Sequence, residues 1–454
     1  MKVHLIAIGG SAMHNLAIAL HCNHHTVTGS DDEIYDPARS RLLTQGLLPP
    51  QLGWHPDRIH PGLDLVILGM HARPDNPELA RARDLGIRIC SYPEFLYERA
   101  RHQRRLVVAG SHGKTTTTAM ILHALSEGGS VFDYLVGAQL EGFDNMVQLS
   151  EAPLIVIEGD EYLSSPIDRR PKFLHYRPHL AIITGIAWDH INVFPSFEAY
   201  VEQFALFLES VEPDGEVFYY AHDEVLQAVV ANYSGSARLT AYEAPPARIR
   251  NGQTFLNIGG EELGLQIFGQ HNLENLRAAA LVCGALGMSE KDFYAAIRSF
   301  PGAAKRMQTL IDRSDRRAIL DFAHAPSKVR ATTRALREQF PRRELIACLE
   351  LHTFSSLNRD FLPQYHHSLA AAHRAIVYVD DHTLAMKQRP PIADELIHQA
   401  FDHPQLQVLR QPDQLRAVLR TLDWNQRNLL LMTSGTFGGL DLAGEVDDLF
   451  GSGG

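Results

Sequence analysis

The residues best suited to chemistry stand in one run, Gly110-Ser111-His112-Gly113-Lys114-Thr115-Thr116-Thr117-Thr118. An apolar stretch, Leu106-Val107-Val108-Ala109, precedes it, and a helical pattern, Ala119-Met120-Ile121-Leu122-His123-Ala124-Leu125, follows. Strand, glycine turn, Lys-Thr and helix is a layout that holds nucleotide phosphates. The turn aims backbone N–H groups at the anion, and the helix start adds its positive end. In such a loop Lys114 reaches the β/γ-phosphates and the Thr115 hydroxyl ligates magnesium. The usual form also has a glycine five positions before the second one. Val108 stands there instead, and the other glycine is at 110. The competing reading is a Gly/Ser/Thr loop that happens to contain Lys; the agreement of strand, loop and helix argues against it.

Two further apolar runs end in polar groups. Leu154-Ile155-Val156-Ile157 runs into Glu158-Gly159-Asp160-Glu161-Tyr162, and Leu180-Ala181-Ile182-Ile183-Thr184 leads to Trp188-Asp189-His190. Ligands of open α/β sheets gather beyond the carboxyl ends of the strands, so all three ends are expected on one rim.

The elements that position these groups fall into three segments of an α/β protein. Residues 1–104 open with Val3-His4-Leu5-Ile6-Ala7-Ile8, then Gly9-Gly10-Ser11-Ala12 and a helix ending near Leu20. Thr26-Val27-Thr28-Gly29-Ser30-Asp31 is a second strand with an acid at its end. This start is Rossmann-like, but the dinucleotide fingerprint wants glycine at 7, 9 and 12, and only Gly9 complies. A helix N-terminus facing another diphosphate fits better than a nicotinamide cofactor. Strands are also expected at Leu65–Leu68 and Ile87–Cys90. Residues 105–307 form a central P-loop domain, with short strands and glycine turns over 252–268. Residues 308–454 alternate strands and helices in a second Rossmann-like domain.

Composition agrees. A length of 454 residues suits two or three domains, and 45% apolar content supports real cores. The net charge of -11 speaks against a nucleic-acid or anionic-membrane partner. Four scattered cysteines without a CxxC pair suggest reduced thiols in the cytoplasm. The run Met1-Lys2-Val3-His4-Leu5 reads as the start of a strand, so a signal peptide is not expected, and no apolar run is long enough to span a bilayer.

Taken in order, the motifs resemble the Mur ligases of bacterial cell-wall synthesis. The loop at 110–115 is similar to that family's Gly-Thr-(Asn/His)-Gly-Lys-Thr, including the missing distal glycine. Further matches are Glu158 with Asp160-Glu161, Asp189-His190, His271-Asn272 with Asn275, Lys305-Arg306, and Asp321-Phe322-Ala323-His324 with Pro326. The resemblance covers nearly the whole chain. It implies three domains, a Rossmann-like front, an ATPase centre and a Rossmann-like acceptor domain.

Within the family, Asp160-Glu161-Tyr162, the run Arg169-Arg170-Pro171-Lys172-Phe173-Leu174-His175-Tyr176 and the ending Gly435-Thr436-Phe437-Gly438-Gly439 resemble the murein-recycling branch. That branch joins UDP-N-acetylmuramate to L-alanyl-γ-D-glutamyl-meso-diaminopimelate. Residues 191–210 contain no Lys, which resembles the branches that use UDP-N-acetylmuramate itself. Leu351-His352-Thr353-Phe354 is closer to the alanine-adding branch, Gly185 replaces a usual Asn, and Ala325 replaces a frequent His. The alternative is therefore a UDP-N-acetylmuramate–L-alanine ligase.

The resemblance implies an ATP- and Mg2+-dependent ligase that forms a carbon–nitrogen bond through an acyl phosphate and releases ADP and phosphate. Its partners are small molecules. The catalytic group is expected to comprise Lys114, Glu158, His190 and Arg306, with magnesium held by Thr115, Glu158 and His190. Asp160 and Glu161 remain competing acids, and Glu158 and His190 have ordinary structural readings as well. ATP is expected at Gly110, Ser111, His112, Gly113, Lys114, Thr115, Thr116, His271, Asn272, Asn275, Arg306 and Asp321. For Asn272 helix capping competes, and for Arg306 a solvated surface role. Substrate contacts are expected from Gly9, Gly10, Ser11, Asp31, Arg73 and His324, with surface exposure the default for Arg73.

Overall fold

The computed structural model of the chain describes residues 1–140, 142–188 and 193–450. They fall into two compact units. The first comprises Met1–Ile186, Phe197–Glu243 and Ala278–Met288; the second comprises Ala187–Ser196, Ala244–Arg277 and Ser289–Gly454.

The first unit contains one parallel and one mainly parallel sheet. Four strands lie in the order Thr26–Ser30, Lys2–Ile6, Leu65–Leu68, Ile89–Ser91. The chain passes from Lys2–Ile6 to one neighbour and then to the other. The carboxyl end of Lys2–Ile6 is therefore a topological switch point, where a crevice opens. The expected strand Val3–Ile8 is shortened because Ala7 turns left-handed, at φ +68°. Ala7 thus takes the backbone of the fingerprint's first glycine without being one.

The larger sheet has seven strands, ordered Arg238–Tyr242, Glu216–Tyr220, Leu180–Ile183, Arg104–Ala109, Leu154–Glu158, Asp133–Leu135, Val147–Gln148. All neighbours are parallel except the last pair. Both faces are covered, so the central strands are continuous apolar runs: Leu106–Ala109, Ile155–Ile157 and Ala181–Ile183 are fully buried. Arg104–Ala109 is entered first and is then flanked from both sides. Its end is the second switch point, and the loop 110–113 starts there.

The second unit holds a six-stranded sheet, ordered Gln308–Asp312, Arg317–Asp321, Arg427–Met432, Glu344–Glu350, Arg374–Tyr378, Leu406–Leu409, parallel apart from its first pair. Separate apolar cores cover its two faces. A three-stranded antiparallel sheet, Ala247–Arg250, Gln253–Ile258 and Glu261–Leu265, accounts for the glycine turns of this region. Asn251-Gly252 and Gly259-Gly260 all have positive φ, which two-residue hairpin loops of type I′ require.

All four cysteines are free, three of them buried. Among the described residues no helix is long and apolar enough to cross a membrane.

Candidate active site

The loop after Arg104–Ala109 is shaped by two glycines. Gly110 has φ +124°, and a Cβ there would overlap Thr184, just past the end of the neighbouring strand Leu180–Ile183. Gly113 has φ +77° and precedes the helix Lys114–Glu127. Thr184 ties the loop down by donating its hydroxyl to the carbonyls of Ala109 and His112, and the Ser111 N–H donates to the Gly185 carbonyl at 2.9 Å. Thr115 and Thr116 are buried in the first turn of the helix. Gly185 itself has φ +134°, and a Cβ there would press on the Asp223 carboxylate at 2.9 Å. The local backbone therefore suits glycine rather than the Asn usual in the resembling family.

Lys114 Nζ donates to the Gly110 carbonyl at 2.8 Å and to Glu161 Oε2 at 2.7 Å. Burial pulls its pKa down, but the Glu161, Asp160 and Glu158 charges outweigh this and hold it above the usual lysine value. The ammonium is thus charged at neutral pH. Tyr200 extends the network, donating to Glu161 Oε1 at 3.3 Å and meeting Ser111 Oγ at 2.8 Å.

Glu158 ends the neighbouring strand. Thr115 Oγ1 donates to its Oε1 and the Gly137 N–H to its Oε2, each at 2.7 Å. Burial, then the charge of Asp160, raises its pKa above the carboxylate norm against those two hydrogen bonds. A hydroxyl and a carboxylate side by side are the hard oxygen pair that magnesium selects. Two glycines, an ammonium and this pair at one strand end fit a magnesium-bound nucleotide. The competing acids have other partners: Glu161 holds Lys114, and Asp160 Oδ2 lies 3.4 Å from Lys172 Nζ. His190 lies outside the described residues.

At the first switch point Gly10 starts the helix Ser11–Cys22 without a side-chain cap. Asp31 accepts the Gly9 N–H at 2.7 Å, and burial pushes its carboxyl up to about 6. A cavity of about 180 Å3 brings Gly10 and Ser11 together with Glu158, Asp160 and Lys172. Arg73 does not line it; it pairs with Asp75 at 3.2 Å in solvent, 82% exposed.

In the second unit, Asp321 Oδ1 accepts the N–H groups of Met307 and Phe322, and its Oδ2 accepts the Thr332 hydroxyl at 2.6 Å. It thereby clamps the segment carrying Arg306, whose neighbours Lys305 and Met307 both have positive φ. The Phe322 ring lies 4.8 Å from the Arg306 guanidinium and 5.5 Å from the His324 ring. Burial lowers the pKa of His271 despite the nearby charge of Asp321. Asn272 is not a helix cap: the helix Gln270–Ala285 begins before it, and its amide donates to the Phe268 carbonyl at 2.9 Å. Asn275 is buried on the same helix. The segment carrying Arg306 and the ring of His271 thus lie close to Asp321.

Sequence reasoning passed over Tyr200 and Lys172 as site residues. Neither sits in a phosphate-binding motif. The one available signal was Lys172's place in the Arg169–Tyr176 run.

These features define a nucleotide-binding α/β enzyme with a P-loop at a sheet switch point. Residues 2–104 match the Mur ligase family catalytic domain, and residues 108–283 the Mur ligase middle domain. A UDP-N-acetylmuramate–L-alanyl-γ-D-glutamyl-meso-2,6-diaminoheptandioate ligase of Escherichia coli K12 is 30% identical over 74% of this chain and 76% of its own. A UDP-N-acetylmuramate–L-alanine ligase of Rubrobacter xylanophilus is 29% identical over 96% and 97%. The crystal structure of a murein peptide ligase from Psychrobacter arcticus superposes with a TM-score of 0.67 at 25% identity, covering 99% of this chain and 98% of that one. The chain belongs to the Mur ligase family. It is an ATP-dependent ligase that forms carbon–nitrogen bonds in peptidoglycan metabolism.

Proposed function

We propose that the chain joins the lactyl carboxylate of UDP-N-acetylmuramate to the amine of L-alanyl-γ-D-glutamyl-meso-diaminopimelate, in cytoplasmic peptidoglycan recycling. A carboxylate does not react with an amine at neutral pH, so it first takes the γ-phosphoryl group of ATP and ADP leaves. The amine then attacks the acyl carbon, gives up a proton, and phosphate departs. Positioning and charge neutralisation carry such a reaction.

The observation that carries the reading is the placement of the Arg169–Tyr176 run, whose sequence resembles the recycling branch. Its Lys172 and Tyr176 line the same cavity as Glu158. In this reading Lys114 holds the β/γ-phosphates within the 110–116 loop, and Thr115, Glu158 and His190 hold magnesium. Arg306 neutralises phosphate charge. His271, Asn272, Asn275 and Asp321 face the nucleotide, and His324 the acceptor. Gly9, Gly10, Ser11 and Asp31 belong to the UDP side. The domains are 1–104 for the donor, 105–307 for ATP and 308–454 for the acceptor.

A second reading, addition of L-alanine, draws support from Leu351-His352-Thr353-Phe354 and from the full-length likeness to an alanine ligase. Phosphate release from ATP with UDP-N-acetylmuramate, comparing tripeptide with L-alanine, tests both. Tripeptide-dependent turnover with little response to alanine upholds the first; turnover with alanine alone replaces it with the second.

A further inference from the structure

We propose that His366, His367 and Asp402 form a binding site for a transition-metal dication of the zinc class, separate from the magnesium nucleotide site and independent of the ligase reaction.

The three residues stand at two turns of the second unit. His366 and His367 follow the short helical turn Leu362–Tyr365, and Asp402 ends the helix Asp394–Phe401. A fully buried aromatic precedes each turn, Tyr365 and Phe401, and the two rings stack at 5.0 Å. The His367 N–H donates to the Phe401 carbonyl at 3.3 Å, and Arg330 donates to the His366 carbonyl at 3.1 Å. His367 and Asp402 both have left-handed backbone, at φ +54° and +46°. Stacked core rings and a backbone bond thus fix the bases of three side chains whose own ends are exposed.

Ligand atoms of the three side chains all lie within 4.8 Å of one another. The two imidazole rings have centroids 3.8 Å apart, and His367 Nε2 is 3.8 Å from Asp402 Oδ2. Ligands about 2.05 Å from a tetrahedral zinc stand about 3.3 Å from one another, so small side-chain rotations close the set. Among the described residues, no protein group hydrogen-bonds to either imidazole, and Asp402 meets no lysine or arginine. Arg330 is turned to a carbonyl instead. Another set with this geometry, Glu94, Asp168 and His175, differs on that point, because Arg170 already holds Asp168 at 2.7 Å.

Two imidazoles and one carboxylate suit zinc, cobalt, nickel or copper rather than magnesium, which prefers oxygen ligands. The carboxylate offsets one of the two charges. Exposure leaves the remaining positions to water, so the ion exchanges with solution, unlike the ion of a closed structural site. Bound there, it would tie the turn after Tyr365 to the end of the helix Asp394–Phe401.

The test titrates zinc chloride into the full chain in competition with a chromogenic chelator, with magnesium in large excess to occupy the candidate nucleotide site. Cobalt chloride gives a second readout through its visible absorption. The proteins are the unaltered chain, His366→Ala, His367→Asn, Asp402→Asn and His382→Gln, the last replacing an exposed histidine of the same unit outside the proposed site. Asn tolerates the left-handed backbone at 367 and 402. The unaltered chain and His382→Gln are expected to bind one zinc with equal affinity. Each of the other three variants should weaken that binding about tenfold or more and reduce the cobalt absorption. Their metal-free Tm should stay unchanged, because the replaced side chains make no hydrogen bond within the protein, so loss of zinc is not loss of the fold. No zinc captured from the chelator would overturn the site. Binding that survives all three substitutions would place the ion elsewhere, and an equal loss in His382→Gln would make it an adventitious ion only; either result also overturns the assignment.

Discussion

In the first unit, two sheets each run a central strand into a glycine turn and a helix, at Lys2–Ile6 and at Arg104–Ala109. At the second turn, neighbouring strands and loops supply Glu158 and Glu161, and the helix answers with Thr115 and Lys114. The first helix starts with Ser11-Ala12-Met13 where the second starts with Lys114-Thr115-Thr116. Asp31 takes the Gly9 N–H, and the adjacent strand ends in Gly69-Met70-His71. The glycine turn and helix dipole are common to both. What separates a site fit for a magnesium nucleotide from a general anion-binding end is that the second helix brings its own ammonium and hydroxyl to the neighbouring acids.

Substitutions break or sharpen this contrast. The largest effect is expected from Lys114→Met, which should lower ATP-dependent turnover by about a thousandfold or more and, by leaving the buried Glu161 without its ammonium, lower Tm as well. Phosphate release near the unaltered rate would remove the distinction between the two turns.

Glu161→Gln comes next. Removing one partner of a buried pair costs on the order of 3 kcal/mol, readable as a shift in denaturant midpoint. The sign follows from Lys114, whose pKa is raised in the fold. Its stabilisation is complete below the ordinary lysine value and is lost only as pH rises through the elevated one, so the full cost appears at pH 7. An unchanged midpoint would make the pair incidental.

Glu158→Gln should raise the magnesium concentration for half-maximal turnover by about tenfold. An unchanged magnesium dependence would move the metal to another acid.

Asp31→Asn probes the first turn. With its carboxyl pushed up to about 6, Asp31 favours the fold below the ordinary carboxylate value near 3.8, and this is lost as pH rises through about 6. Asn keeps an acceptor for Gly9 without the charge. The variant should therefore gain about 1 kcal/mol over the parent between pH 4 and pH 8, after allowance for solvent screening. A parallel pH dependence in the two proteins would contradict the buried charge.

The smallest effect belongs to Arg73→Ala. Its exposed pair with Asp75 contributes little, so the KM for UDP-N-acetylmuramate should change by less than about twofold. A larger rise would return Arg73 to the substrate site.

Much of the scaffold was legible. Leu106–Ala109, Leu154–Ile157, Leu180–Ile183 and Leu429–Met432 are continuous apolar runs because both faces of their sheets are covered. Gly110 and Gly113 declare the turn because their positive φ excludes most side chains. Asp133–Leu135 and Val147–Gln148 went unread because two or three residues carry no period. Ala7 misled in the opposite direction: it looks like an ordinary strand residue, yet the turn forces it left-handed. At the site, Lys114 and Thr115 followed from local spacing. The partner that holds Lys114 did not, because Glu161 is 47 positions away and Asp160 and Glu158 are equally acidic by composition.

What the chain alone determined is therefore whatever depends on nearest neighbours: strands, glycine turns, the phosphate loop and an ordered set of family motifs. Tertiary structure alone decided which acid meets the hydroxyl and which the ammonium, that Asp31 bonds to Gly9, and that Gly10 and Ser11 line one cavity with Glu158. Hydrogen bonds and ion pairs act over about 3 Å, and only the packing of distant strands brings such groups to that range.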